Sequence, residues 1–366
     1  MHLGITDFFQ DVGNFFKGGT VLGVDIGTAS IHAVELSKKG DSLNLVNYGT
    51  LGTKRYLEYS NQAIQTSSLK VVPKDAARLL SILVREMRLK TNIAVASLPL
   101  FSSFITVLNL PLFSQEETAK AVMFQAQQYI PLSPKEVSVE WKKIEEFENQ
   151  REQKFQRILL TGIPNEVIAR HKEIFKAAGL RLMAMEIETF ALARAFGSFF
   201  TDVPVLMVDI GAESTGVAVV EKGNIMHVEQ TDYSGVYLTK ALSKSLDISM
   251  PRAEELKRRR GLSSVGADSE LSTLLLPFLD VIIQEVRHVK DAYSRQYKRD
   301  VGKVMLAGGE ANLIGIEKYV ASQLGLPIAH HPLFTGVSHP SSIEPAVRAL
   351  ENEFAIAFGL AKKYFE

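Results

Sequence analysis

The ten residues Val21-Leu22-Gly23-Val24-Asp25-Ile26-Gly27-Thr28-Ala29-Ser30 return without a gap as Val205-Leu206-Met207-Val208-Asp209-Ile210-Gly211-Ala212-Glu213-Ser214. Seven of the ten positions are identical at a constant offset of 184 residues. Each copy is an apolar strand that breaks at Asp-Ile-Gly and a small residue. Glycine has no Cβ, so the backbone there turns tightly and presents N–H groups to an anion. An aspartate beside phosphates would repel them; it makes sense as an outer ligand of Mg²⁺ through water, because Mg²⁺ keeps part of its hydration shell. Asp25 and Asp209 are therefore the expected metal-side residues. A single Asp-Ile-Gly reads best as a structural turn. The repeated pair points to duplicated architecture, with two hairpins gripping one polyphosphate from opposite sides.

Around this repeat the chain is ordinary for a globular protein of 366 residues, long enough for two domains with a core in each. Forty-one basic residues balance forty-one acidic ones, which gives no support for broad attraction to nucleic acid or membrane. The absence of cysteine excludes disulfides, thiolate metal sites and Cys nucleophiles. No secretory signal is read at the start, and the most apolar stretch, Leu271 to Ile283, contains Pro277 and Asp280 and is too short to span a bilayer. The expectation is a cytoplasmic protein.

Periodicity sets out the elements. Ile5, Phe8, Phe9, Val12, Phe15 and Phe16 fall on one face of a short amphipathic helix, ended by Lys17-Gly18-Gly19. Strands are expected at 30–36, 43–48, 92–97, 157–163, 181–188 and 303–306, and helices at 73–88, 115–129, 165–178, 235–246, 251–260, 277–298, 314–324 and 353–364. The polar run Glu145 to Lys154 reads as a hairpin tip, and 99–150 as a small insert. This divides the chain into an N-terminal segment (1–19), a first domain (20–203), a second domain (204–352) and a final helix (353–366) that returns to the first.

A third glycine element, Ala307-Gly308-Gly309-Glu310-Ala311-Asn312, follows an apolar strand and precedes a helix. Taken alone it is a strand-end turn; placed after the second hairpin it suits close approach of a ribose or a flat base. Two phosphate hairpins, this loop and a closing C-terminal helix resemble the actin superfamily over nearly the whole chain. Within it, Asp209-Ile210-Gly211-Ala212-Glu213-Ser214-Thr215 and the loop Gln128-Tyr129-Ile130-Pro131-Leu132 resemble the PilM family of type IV pilus assembly. The resemblance implies an α/β, actin-like (duplicated ribonuclease H-like) ATPase fold with the 1C insert shared by FtsA and PilM.

It also implies ATP and Mg²⁺ between the halves. Asp25, Gly27 and Thr28 match the first phosphate loop, and Asp209, Gly211, Ala212, Glu213, Ser214 and Thr215 the second. Gly308, Gly309 and Glu310 match the adenosine loop. Glu254 and Lys257, in Ala253-Glu254-Glu255-Leu256-Lys257, match a helix whose Glu and Lys touch ribose and adenine in relatives. The arginines Arg258-Arg259-Arg260 read as a solvated helix end favoured by the dipole. Hydrolysis needs a water held in line with the γ-phosphate. Glu186 and Glu188 alternate onto one face at a strand end, and Glu188 resembles the catalytic acid position of MreB; as plain residues they are ordinary strand-end acids. The bulk of Glu213, where most of the superfamily has glycine, points to slow turnover or to ATP as a switching ligand. The family's partner is a short N-terminal cytoplasmic peptide of the membrane protein PilN, bound between subdomains 1A and 1C. That partner implies indirect association with the inner membrane face, and self-association is a further expectation. An FtsA-like division filament protein and a small-molecule kinase of the same superfamily are the alternatives.

Overall fold

The computed structural model describes residues 19–53, 73–149, 151–197, 203–262, 268–330, 332–339 and 347–366. The expected helix over 5–16 lies outside the described residues, as does 263–267 of a polar loop expected over 263–269, whose last two residues already belong to a helix.

The first hairpin opens a sheet. Strand β1 (Gly19–Ile26) pairs antiparallel with β2 (Ser30–Lys39) and parallel with β4 (Ile93–Leu98). Strand β3 (Ser42–Gly52) extends it on one side and β8 (Arg181–Ile187) on the other; a two-residue strand, β13 (Val337–Ser338), joins β3, giving the order β13-β3-β2-β1-β4-β8. The runs Val21-Leu22-Gly23-Val24 and Ala94-Val95-Ala96 are apolar throughout because both faces of the sheet are covered. Helices α1 (Pro73–Met87) and α3 (Asn165–Ala177) cover one face, packing Leu79, Leu80 and Phe175 on Leu22, Val24 and Ala96.

The second hairpin is wired the same way. Strand β9 (Val205–Ile210) pairs antiparallel with β10 (Thr215–Glu221) and parallel with β12 (Lys303–Ala307), and β11 (Asn224–Thr231) completes the order β11-β10-β9-β12. Its core is shared with α5 (Gly235–Leu246), α6 (Met250–Arg260), α7 (Asp268–Tyr297) and α8 (Ile316–Leu324).

Helix α9 (Val347–Lys363) lies between β1 and α4 (Glu188–Phe196), and Phe354 and Phe358 share one core cluster with Val21 and Val34 of the first half and Val205, Met207 and Met305 of the second. This explains a mismatch in the sequence repeat. A Cβ on Gly23 would run into the carbonyl oxygen of Ala357 and stand 2.7 Å from the Ala361 nitrogen, so the strand that α9 crosses carries glycine where its counterpart carries Met207.

A third sheet, in the order β5-β7-β6, is built from β5 (Phe104–Pro111), β6 (Val137–Glu148) and β7 (Lys154–Pro164). It takes in Lys154–Pro164, beyond the 99–150 stretch read as an insert, and β5 and β6 are additions to the elements expected. The hairpin tip is narrower than expected, Asn149 to Gln153, with the Asn149 N–H donating to the Gln153 carbonyl at 3.0 Å. Helix α2 (Gln115–Tyr129) buries Thr118, Val122 and Ala126 against this sheet and begins with a Ser114/Glu117 capping box.

The long helix α7 corrects the sequence expectation. It starts at Asp268, not at Pro277, and runs through the proline. Leu271, Leu275, Leu279, Ile282, Val286, Val289 and Tyr293 form one unbroken buried stripe, while Pro277 lies on the exposed face.

Candidate functional site

The strand-ending turns are congruent. A Cβ on Gly27 would stand 2.9 Å from the Ser30 carbonyl oxygen, and one on Gly211 would stand 3.0 Å from that of Ser214. The Gly211 N–H donates to the Ser214 carbonyl at 3.0 Å. Each turn is anchored from behind. The Ile26 N–H donates to Ser97 Oγ (3.2 Å) at the end of β4, and Thr53 Oγ1 donates to the Thr28 carbonyl at 2.8 Å. The carbonyls of Gly211 and Ala212 accept from the N–H groups of Gly235 (3.0 Å) and Val236 (2.8 Å), which seats the second turn on the start of α5.

Asp25 is buried, and Asp209 keeps part of its surface in the cleft. Burial pushes the Asp25 carboxyl up to about 6, with a Ser97 hydrogen bond opposing the shift. Burial pushes Asp209 up to about 7, and the neighbouring charge of Asp25 adds to it. Two desolvated carboxylates within each other's field are unfavourable unless a cation stands between them. Among the described residues, no cluster of three or more His, Asp or Glu could hold a metal ion alone. The pair therefore suits an ion that brings other ligands with it, phosphate oxygens and water.

The Ala307-Gly308-Gly309 turn lies directly against the second hairpin. Gly308 has φ +84°, and a Cβ there would stand 2.5 Å from the Ile210 carbonyl oxygen and collide with the Asp209 carboxylate. Both conformation and space require glycine. The short 3₁₀ turn Gly309–Asn312 then places Glu310 against Lys257 of α6, Nζ to Oε1 at 2.5 Å. Lys257 is only 1% exposed and also reaches Glu254 (3.0 Å) and the Gly235 carbonyl (3.1 Å). Burial opposes the charge of Glu254, but Lys257, the Thr239 hydroxyl (2.5 Å) and Arg258 outweigh it and hold that carboxyl at about 2. The expected adenosine-side residues thus converge, with the ammonium of Lys257 committed to protein acceptors.

Other expected residues separate. The Thr215 hydroxyl faces inward, donating to the Tyr233 carbonyl at 2.6 Å, and Glu213 is exposed. The strand holding Glu186 ends at Ile187, so Glu188 is the first residue of α4 and does not alternate with it. Both oxygens of Glu186 are engaged, by Arg194 and by Lys363 of α9 (2.8 Å). Its burial raises the carboxyl, yet these two cations overcome that and hold it below the usual range. Glu188 Oε1 instead accepts from the Leu100 N–H at 2.9 Å, beside the second half: a Cβ on Gly216, the register partner of Asp209, would touch Leu100 at 3.5 Å. The supporting residues Ser97, Thr53 and Thr239 were not foreseen. Ser97 carried a signal, since a lone hydroxyl closes the apolar run Ile93-Ala94-Val95-Ala96.

A family described as type IV pilus assembly protein PilM matches residues 23–365. A PilM-PilN type IV pilus biogenesis complex contains a chain similar to this one, with TM-score 0.80, 22% identity, and coverage of 94% of this chain and 98% of that one. The ethanolamine utilization protein EutJ from Carboxydothermus hydrogenoformans aligns at TM-score 0.55 and 18% identity over 98% of both chains. MreB5 of Spiroplasma citri bound to AMPPNP aligns at TM-score 0.53 and 15% identity, over 95% of this chain and 96% of that one. The fold is the actin-like α/β fold expected from the repeat, and the chain belongs to the type IV pilus assembly protein PilM family.

Proposed function

We propose that this PilM-family chain is an ATP-binding scaffold of the type IV pilus assembly platform, holding the cytoplasmic N-terminal peptide of a PilN-like membrane protein in a nucleotide-dependent way. The observation that carries the nucleotide part is the pair of congruent strand-ending turns at Gly27 and Gly211, with Asp25 buried behind the first and its charge reaching the partly exposed Asp209 behind the second. The residues fit Mg·ATP: the carboxylates would hold a hydrated Mg²⁺, and the backbone at Gly27 and Gly211 would meet phosphate oxygens. Gly309, where a Cβ would meet nothing within 4 Å, leaves room for adenosine, while Gly308 seats this loop on the second turn. The ion, when bound, would neutralise phosphate charge. Glu188, whose partner Leu100 borders the second half, would be the carboxylate that orients a water, while Glu186 anchors α9. The partner rests on family membership and on the PilM-PilN complex, and it would bring the chain to the inner membrane face. No helix among the described residues is long and apolar enough to cross a membrane, so that association would run through the partner.

Calorimetry tests both parts. Mg·ATP binds the wild-type chain, and EDTA or Asp25→Asn weakens binding by about tenfold or more, the loss of ~1.4 kcal/mol or more. A synthetic peptide from the N-terminus of a PilN-like protein binds, with an affinity that differs between the apo and Mg·ATP forms. Unchanged nucleotide affinity in Asp25→Asn refutes the site. Absence of peptide binding in both forms refutes the partner.

A further inference from the structure

The small sheet is fastened to the second half of the molecule by a cluster of charged and aromatic groups outside the nucleotide cleft. Arg157 of β7 is buried, pairs with Glu145 of β6, and lies between two rings. Its guanidinium carbon stands 4.1 Å from the centroid of Phe147, on its own sheet, and 4.6 Å from that of Tyr297, at the end of α7. Glu145 also meets Arg299 at 3.6 Å, and Arg299 holds both oxygens of Glu221, the last residue of β10, at 2.8 Å. The Tyr293 hydroxyl donates to the same carboxylate at 2.8 Å, and the Tyr297 hydroxyl donates to the Met226 carbonyl at 2.9 Å. Beside this, Lys142 Nζ donates to Asn224 Oδ1 at 2.9 Å, and Ile144 packs on the core of the second half.

The position of Glu221 gives the cluster its meaning. Strand β10 begins at Thr215, directly after the second phosphate turn, and ends at Glu221 in the cluster. Seven residues of strand span about 20 Å, and a strand within a sheet moves as a rigid element. One end of β10 follows the candidate phosphate site and the other grips the small sheet. A rotation of the second half that opens or closes the turns must therefore move the small sheet or break the Arg299 contacts.

We infer that the Arg157–Glu145–Arg299–Glu221 cluster is a lock through which occupancy of the nucleotide cleft sets the position of the small sheet, and with it the partner-peptide site beside that sheet. The inference rests on the proposed function for its ligand and partner, while the lock itself stands on these contacts. Arg299 is the position to test, because it lies in a loop, is 38% exposed in its side chain, and is remote from the turns.

The chain has no cysteine, so Gln153→Cys at the tip of the small sheet and Lys240→Cys on α5 take spin labels without background. Double electron–electron resonance then reads the distance between small sheet and second half. The expected result is one narrow distribution for the labelled parent that shifts with Mg·ATP. In Arg299→Ala the apo distribution broadens by about twofold and the Mg·ATP shift is lost, with Mg·ATP affinity within about threefold of the parent. Glu145→Gln gives the same broadening. An apo distribution in both variants as narrow as the parent's overturns the lock, and a full Mg·ATP shift in Arg299→Ala overturns the coupling. A parent that fails to bind Mg·ATP sinks the nucleotide reading and the coupling with it, while the apo comparison still decides the lock.

Discussion

Replacing Asp209 by asparagine should make the ligand-free protein more stable while abolishing its use of Mg·ATP. The Asp209 carboxyl is raised from an ordinary 3.8 to about 7, first by burial and then by the charge of Asp25. Three units at ~1.4 kcal/mol each give about 4 kcal/mol, and water reaching the part of Asp209 open to the cleft reduces this to about 2 kcal/mol. The folded-state value lies above the unfolded one, so the folded chain holds the extra proton. The contribution of Asp209 to stability is most favourable below pH 4, falls between about pH 4 and 7, and stays low above that. Asparagine keeps the shape and does not titrate. In urea, Asp209→Asn should therefore exceed the wild-type chain by about 2 kcal/mol at pH 8 and by less than about 1 kcal/mol at pH 5. Adding Mg·ATP should raise the midpoint of the wild-type chain and leave that of the variant in place. A variant no more stable than wild type at pH 8, or a gain that does not change with pH, would refute the reasoning.

Four further outcomes follow, three from packing and ion pairs and one from the candidate cleft. Gly23→Ala sets a methyl group against the backbone of α9, which cannot move without displacing Ala357 and Ala361; a loss of ~3 kcal/mol in thermal unfolding is expected, and a loss below ~1 would mean that the helix has room. Lys257→Met leaves the buried Glu310 without its cation and Glu254 with Arg258 alone, at a cost of about 3 kcal/mol by urea unfolding, and the added change Glu310→Leu should recover part of it. Glu186→Gln should lower stability by ~2 kcal/mol with Mg·ATP affinity intact, since its partners are Arg194 and Lys363. Glu188→Gln should instead slow any single-turnover hydrolysis of ATP; the reverse pattern would return Glu186 to the cleft.

Much of the fold was legible because the same ten-residue pattern occurs twice, and an apolar strand stopped by Asp-Ile-Gly has few ways to fold. Helices Gln115–Tyr129 and Gly235–Leu246 were legible, with the bounds expected, from the periodicity of the sequence. Strand β6 was missed although Val137, Val139 and Trp141 alternate with Ser138, Glu140 and Lys142; the alternation stops at Lys142-Lys143, and the pairing with β7 shifts register between Lys143 and Glu145. Pro277 read as a helix start because local propensity says so, and the buried stripe on α7 overrode it.

For the site, the sequence alone determined the two turns and the acids that end their strands, because a tight strand-ending turn needs glycine at a fixed spacing and these residues lie within one short segment. What each charged side chain faces was decided only by tertiary structure. Glu186 and Glu188 sit two residues apart, yet one holds α9 through Lys363 and the other holds the Leu100 backbone. Lys257 looked like a ligand contact and is sealed between Glu254 and Glu310, whose partner Glu310 lies 53 residues further along. A charge takes its role from the partners and the solvent around it, and those come from distant parts of the chain that meet only on folding.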